Sequence, residues 1–355
     1  MMRNYCFILS TIFILFSSCK EKDNDPISRF SKVFNIQSER LNVDTYKFTN
    51  YGKFLLFEKE QCIIKYSVNR ESLIDKIYYN RDSLVSLVKQ GGGPNESHNV
   101  LLMQKKDGNH YMMFDLRGKK SKLMDIDGKV IESSSLDEYY YSVIQTNSGY
   151  IAWNSQSKVN ENKMFVQLDQ NGMFVRTFGE FPKEDKFSME VADPKSRMMA
   201  YQGKFVYNSK QDKIAYMTLY GIIFEIYQLG EAPHLIQKYH DAFPVYIPDS
   251  GPNHSSAIYK KENIDGYTDI CSTDQYIYTL YSGKTVKAAS SQGVMDAKLT
   301  NHVLVYDWNG NCVCRFVTDK SLLSRDVSED NRKLVALGWE DDFYLYSFDL
   351  SEANL

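Results

Sequence analysis

Proline, cysteine and histidine are scarce in this chain: eight, six and six among 355 residues. So few cysteines exclude a disulfide scaffold of the kind that holds small secreted domains together. The histidines (His98, His110, His234, His240, His254 and His302) form no HExxH and no close His-x-His pair, so zinc-hydrolase chemistry has no motif. A G-x-S-x-G nucleophile elbow is missing as well. Lys and Arg number 42 against 45 Asp and Glu, which is no basic excess to follow a nucleic-acid backbone. Past residue 20 no apolar run approaches the roughly 20 residues of a spanning helix, and helical periodicity is nearly absent. Aromatics, by contrast, reach 14%, with 26 Tyr and 20 Phe, a bias that suits the pleated, half-buried surface of β-strands.

The one long apolar run is at the start. Arg3 precedes Tyr5 to Phe16, about a dozen apolar residues, which fits a signal-peptide core and is too short to cross a bilayer. Phe16-Ser17-Ser18-Cys19 follows, and then charge in Lys20-Glu21-Lys22-Asp23. This resembles the lipobox of bacterial lipoproteins, with Phe16 where leucine is commoner, and implies a signal peptide over 1–18 and a lipid on Cys19. The charged quartet is similar to surface-export signals of Bacteroidetes-type lipoproteins, although a solvated tether has the same composition. The address implied is the outer membrane, at the cell surface or the periplasmic face. Without residues 1–18 the balance is 41 basic to 45 acidic side chains, since only Arg3 is lost.

From about residue 45 short β segments alternate with turns. KLMDIDGKVIES (Lys122 to Ser133), MFVQLDQNGMFVRTFG (Met164 to Gly179) and HVLVYDWNGNCVCRFVTD (His302 to Asp319) are one unit: strand, Asp/Asn-Gly turn, strand. IIFEIYQLGEAPHLIQKY (Ile222 to Tyr239) is a degenerate fourth copy. Before each lies an aromatic strand led in by polar turn residues, as in NSGYIAWNSQ and STDQYIYTLYSG. Two such units make about four strands, and residues 41–355 divided by six give about 52 residues per repeat. The expected fold is all-β: a six-bladed β-propeller of four-stranded antiparallel blades over 41–355, preceded by a tether and first strand region over 19–40. The last strand, Phe343 to Leu350, lacks its outer hairpin, which strands around Phe30 to Phe48 are expected to supply. Seven blades or two β-sandwiches are the alternatives. A sandwich pair needs a mid-chain linker, and Glu180 to Ala200 serves as well as a long inter-blade loop with a short helix.

LVKQGGGPNE (Leu87 to Glu96) resembles the G-x-G-P-G-E signature after the first blade of the six-bladed TolB-like or NHL-like propeller lipoproteins of Bacteroidetes. Gly91, Gly93, Pro94 and Glu96 match it; Asn95 replaces a glycine with the next residue most tolerant of positive φ. The resemblance implies a fold and an address more than a reaction. As a phosphate loop the stretch fails, because Pro94 removes an amide and no Lys-Ser/Thr pair follows. It reads as an inter-blade joint in which Glu96 accepts hydrogen bonds from loop amides.

Other candidates are similarly open to ordinary readings. Asp125-Ile-Asp127-Gly128 has its glycine two places too early for an EF-hand and reads as a hairpin. Cys312 and Cys314, alternating on one strand, are expected on one face, without the second ligand pair of a zinc site. Loop residues that could face a ligand are Glu96, His98, Asp249, His254 and Tyr259; no metal and no cofactor is implied. Tyr139 to Tyr141, Tyr246, Tyr259 and Tyr267 either stack on sugars or pack between blades. The leading functional expectation is a binding or scaffold module for an envelope protein, peptide or glycan, with no nucleic acid as partner. The others are a glycan hydrolase or lyase with residues from several blades, and a structural partner in an outer-membrane complex by analogy with TolB.

Overall fold

The computed structural model describes residues 25–355 apart from 49–51, 68–70, 94, 100–101, 116, 154–161, 183–193, 252–253 and 288–293. Cys19 and Pro94 lie outside the described residues.

Four antiparallel sheets follow one another in chain order. The first blade is β3 (Phe54–Phe57), β4 (Cys62–Tyr66), β5 (Ser72–Tyr78) and β6 (Ser83–Gln90), with β7 (Glu96–Ser97) added parallel to β6. The second is β8 (Leu102–Lys105), β9 (His110–Asp115), β10 (Lys120–Asp125) and β11 (Val130–Ser135). The third is β12 (Val143–Thr146), β13 (Gly149–Trp153), β14 (Lys163–Leu168) and β15 (Phe174–Glu180). The fourth is β16 (Gly203–Asn208), β17 (Lys213–Thr218), β18 (Ile222–Gln228) and β19 (His234–Ala242). The fifth, β22 (Ile264–Ser272), β23 (Tyr276–Thr285), β24 (Thr300–Asp307) and the first part of β25 (Cys312–Val327), continues into the sixth through β25 itself. Residues Leu322 to Val327 pair with β26 (Lys333–Trp339), and β27 (Phe343–Asp349) follows.

Ring closure differs from the expected pair of strands. The N-terminal segment gives the sixth blade one outer strand, β2 (Ser38–Arg40), which pairs with β27. Its other strand, β1 (Val33–Ile36), lies parallel to β25 on the fifth blade. One strand suffices because β25 already supplies the innermost strand of the sixth blade.

Six buried clusters, one per joint between blades, explain the aromatic and aliphatic content. Strand side chains alternate, so one strand feeds two joints. On β9, Tyr111 and Met113 pack toward the first blade, while Met112 and Phe114 pack toward the third. The cluster joining the sixth blade to the first unites Leu323, Val335 and Leu345 with Phe54, Leu56 and Ile63, which closes the circle. Trp153 stacks on Tyr216 at 5.4 Å across the joint of the third and fourth blades. Tyr140, Tyr246 and Tyr267 are buried, whereas Tyr139 and Tyr141 form an exposed edge-to-face pair.

The Asp-x-Asp/Asn-Gly hairpins share one geometry. Asp125, Asp169 and Asp307 each accept from the amides two and four residues on, at 2.8–3.0 Å. Gly128, Gly172 and Gly310 have positive φ, and each abuts the outer strand of the preceding blade. Cys312 and Cys314 do not share a face. A register shift opposite Val305 and Tyr306 inserts an extra residue, so Cys312 packs between blades four and five and Cys314 between five and six. Cys62, Cys271, Cys312 and Cys314 are free thiols.

Two short α-helices occur among the described residues: α1 (Pro194–Ala200), in the long connection after the third blade, and α2 (Val294–Lys298). No described helix is long and apolar enough to cross a membrane. The connection after the fourth blade forms a hairpin, β20 (Tyr246–Gly251) and β21 (His254–Tyr259), packed on α1.

Candidate functional site: the axial channel

The innermost strands β3, β8, β12, β16, β22 and the end of β25 run in one direction around the axis. They enclose a cavity of about 390 Å3 to which all six blades contribute. Its wall includes Lys53 and Leu55, Met103 to Lys106, Val143 and Ile144, Phe205 to Tyr207, Cys271 and Ser272, and Asp326. The mouth is formed by the turns after these strands, with Asp107, Lys210, Asp274 and Glu329.

Three polar contacts stitch inner strands of different blades together. The Gln104 side chain bonds both backbone groups of Gln145, at 2.8 Å to the amide and 3.0 Å to the carbonyl. Asp269, 1% exposed, accepts from Lys204 at 3.0 Å and from Arg325 Nη1 at 2.9 Å, and Arg325 also donates to the carbonyls of Asp269 and Tyr278. Burial works to raise the Asp269 pKa, but Lys204 and then Arg325 hold it below the usual carboxylate range. Asp326 accepts from the amides of Leu56 at 2.8 Å and Val327 at 3.0 Å. Burial dominates there and pushes its pKa up, against Lys105 and Lys53.

At the mouth the cations are mostly engaged: Lys105 with Glu329 at 3.1 Å and Lys210 with Asp274 at 2.6 Å. The ammonium groups of Lys53 and Lys106 make no hydrogen bond or ion pair among the described residues. The cavity wall therefore mixes charged and hydrogen-bonding groups with apolar side chains such as Leu55, Ile144 and Phe205, which leave it open.

The GGGPNE stretch lies away from this cavity, where the first blade hands over to the second. Glu96 turns back into its own loop and accepts from the Gly93 amide at 2.8 Å. A Cβ on Gly91 would stand 2.1 Å from Glu96 Oε2, so the bare glycine makes room for the carboxylate. Asp115, at the end of β9, ties the next residues down through Ser97 Oγ at 2.6 Å and the His98 amide at 2.9 Å. Asn95 and His98 are exposed.

A family model for TolB-like six-bladed propellers matches residues 35–330, more than four-fifths of the chain. The chain belongs to the TolB-like six-bladed propeller family. A crystal structure of a member of the DUF4221 family from Bacteroides vulgatus ATCC 8482 is similar to this TolB-like chain, with a TM-score of 0.51 at 11% identity. It covers 88% of this chain and 96% of that one. A protein described as exported, from Bacteroides fragilis NCTC 9343, aligns at 11% identity with a TM-score of 0.49 over 92% and 96%. At such identities the likeness concerns the fold alone. No curated protein matches significantly.

The TolB-like ring scatters the loop residues singled out in the sequence. Glu96 and His98 sit between the first and second blades, and Asp249, His254 and Tyr259 on the hairpin after the fourth. None of them lines the cavity. Tyr259 is committed to structure: its hydroxyl donates to the Met199 carbonyl at 2.6 Å and its ring lies 4.1 Å from Tyr220. Asp249 is half-buried on β20, and the side chain of His254 lies outside the described residues. The groups that do converge, Lys53, Gln104, Asp269, Arg325 and Asp326, come from four inner strands or the turns leading into them and share no motif. Their signal was only a charged or amide residue in each otherwise apolar strand.

Proposed function

We propose that this chain is a lipid-anchored envelope module. Its axial channel would bind a polar, anion-bearing segment of an envelope protein, peptide or glycan. The observation that carries the proposal is the open channel itself, about 390 Å3, whose wall carries Lys53 and Lys106 with ammonium groups that make no hydrogen bond or ion pair among the described residues. An inner ring of short strands is a rigid frame for such groups, and the turns around its mouth supply the contacts of a larger partner. Anchoring through Cys19, at the outer membrane facing the surface or the periplasm, supports the same role, because a tethered ring can hold a partner near the bilayer.

Capture from envelope extracts, with a glycan array alongside, tests this. Wild-type protein should retain a ligand that Lys53→Ala/Lys106→Ala protein loses. Equal retention by both would remove the channel from the reading. Membrane retention of a Cys19→Ala variant would remove the anchor.

A second reading, glycan hydrolysis or elimination, is favoured by one observation. Asp326, with its raised pKa, lines the cavity, and Asp269, with its lowered one, sits on the neighbouring inner strand. Two carboxyl groups pushed apart in this way are what acid and base roles require. Turnover of a glycan by wild type and not by Asp326→Asn protein would establish it.

A further inference from the structure

The chain joins the ring at a fixed place. Asp25 caps a single 3-10 turn, Pro26–Arg29, and its carboxylate meets the Tyr281 hydroxyl. Arg29 forms a two-armed ion pair with Asp241, 2.8 Å on one arm, and lies over the Tyr239 ring at 4.6 Å. Phe30, 5% exposed, meets Tyr306 edge-on in the core between the fourth and fifth blades. Asp25 is six residue steps beyond Cys19, which span at most about 22 Å when fully extended. A lipid on Cys19 therefore holds the joint between these two blades within about that distance of the bilayer.

The hairpin β20–β21 begins five residues after Asp241, the partner of Arg29. Period-two alternation divides its side chains. Tyr246, Ala257 and Tyr259 turn inward to the cluster that includes α1. Ile247 and Ile258 turn outward, directly opposite one another, 50% and 52% exposed. Lys260 and Lys261 follow at once and are exposed. An aliphatic pair on a packed ribbon, with cations behind it, has the make-up of an interfacial membrane element.

We infer that this hairpin is a second, non-covalent contact with the bilayer. Ile247 and Ile258 enter the headgroup boundary, and Lys260 and Lys261 meet anionic headgroups. The inference rests on the lipoprotein reading and adds an orientation to it. The face carrying the blade-to-blade connections lies toward the lipid. The opposite face, with the Asp-x-Asn-Gly turns and the channel mouth at Lys210, Asp274 and Glu329, is left open to partners.

The test uses the full lipidated chain in phosphatidylethanolamine–phosphatidylglycerol vesicles whose acyl chains carry bromine. Ile247→Trp and Ile258→Trp are made separately, with Val175→Trp on the outer strand of the third blade as control. Trp153 and Trp308, 2% and 1% exposed, and the partly buried Trp339 are common to every protein, so each introduced tryptophan is read as the difference from the unsubstituted chain. Both hairpin variants should show blue-shifted emission quenched severalfold more than the control. A lipidated, vesicle-bound protein with unquenched hairpin tryptophans, or with all three sites quenched alike, overturns the orientation. A chain whose mass shows no lipid on Cys19, and which the vesicles do not retain, overturns the anchor and this inference with it. The mass measurement tells the two failures apart.

Discussion

Arg325→Met should be one of the more costly single changes in the molecule. Arg325 is 0% exposed and reaches from the sixth blade to Asp269 and Tyr278 of the fifth. Methionine fills most of the volume but leaves Asp269, 1% exposed, without that partner. Breaking a buried ion pair from one side costs roughly 3–5 kcal/mol. Lys204 remains 3.0 Å from Asp269 with its side chain 41% exposed, so the stranded carboxylate keeps one solvated cation, and the lower end applies, about 3 kcal/mol. At about 2.1 cal/mol/K per residue over some 320 folded residues, that lowers Tm by about 5 °C. Differential scanning calorimetry on the mature chain measures the shift. In an Asp269→Asn background the same change should cost distinctly less, because the charge it strands is gone. The pH dependence adds a sign. The Asp269 pKa is depressed in the folded chain, so its contribution is present above the ordinary value of about 3.9 and is lost as pH falls through the folded value. Arg325→Met protein should therefore lose less stability on acidification than wild type. A Tm within about 1 °C of wild type, or raised, would refute the inter-blade role of the pair.

Asp326 has the opposite sign: burial raises its pKa, so stability falls as pH rises from about 3.9 through the folded value, and Asp326→Asn should flatten that fall in urea midpoints. A wild-type midpoint that rises relative to the variant over this window would contradict it. Gly172→Ala puts a Cβ 2.1 Å from the Ser135 carbonyl oxygen at φ +75°, whereas Gly230→Ala, at φ +108°, meets nothing within 4 Å. Both substitutions pay the left-handed penalty of about 1–2 kcal/mol, and only Gly172→Ala should lose clearly more in denaturant unfolding. Glu96→Ala removes a charge-assisted bond to the Gly93 amide and should cost about 1.5–3 kcal/mol without altering ligand capture. Loss of capture with unchanged stability would assign Glu96 to a binding site.

The blades were legible because their hairpins carry local chemistry. Asp169-Gln-Asn171-Gly172 and Asp307-Trp-Asn309-Gly310 close their turns with bonds inside five residues, so the sequence is enough to see them. Strand β25 was not legible as the bridge between two blades: Cys312 to Val327 has no turn where the chain passes from the outer strand of one blade to the inner strand of the next. The register shift that separates Cys312 from Cys314 depends on pairing with β24, which alternation alone does not reveal. The hairpin after the fourth blade reads as a polar loop through Asp249 to His254. The apolar residues that seat it, Tyr246 and Ala257, lie just outside that stretch. The channel was least visible of all. Lys53, Gln104, Asp269 and Asp326 are far apart in sequence and meet only because six inner strands share one axis.

Binding of the captured envelope ligand to the channel is the most direct measurement. Isothermal titration of that ligand into wild-type and Lys53→Ala/Lys106→Ala protein, each at low and high salt, separates the outcomes. A channel site predicts that the double variant binds at least about tenfold more weakly, and that its affinity responds less to salt. Identical affinity and identical salt response in the two proteins would contradict a binding site on the propeller axis.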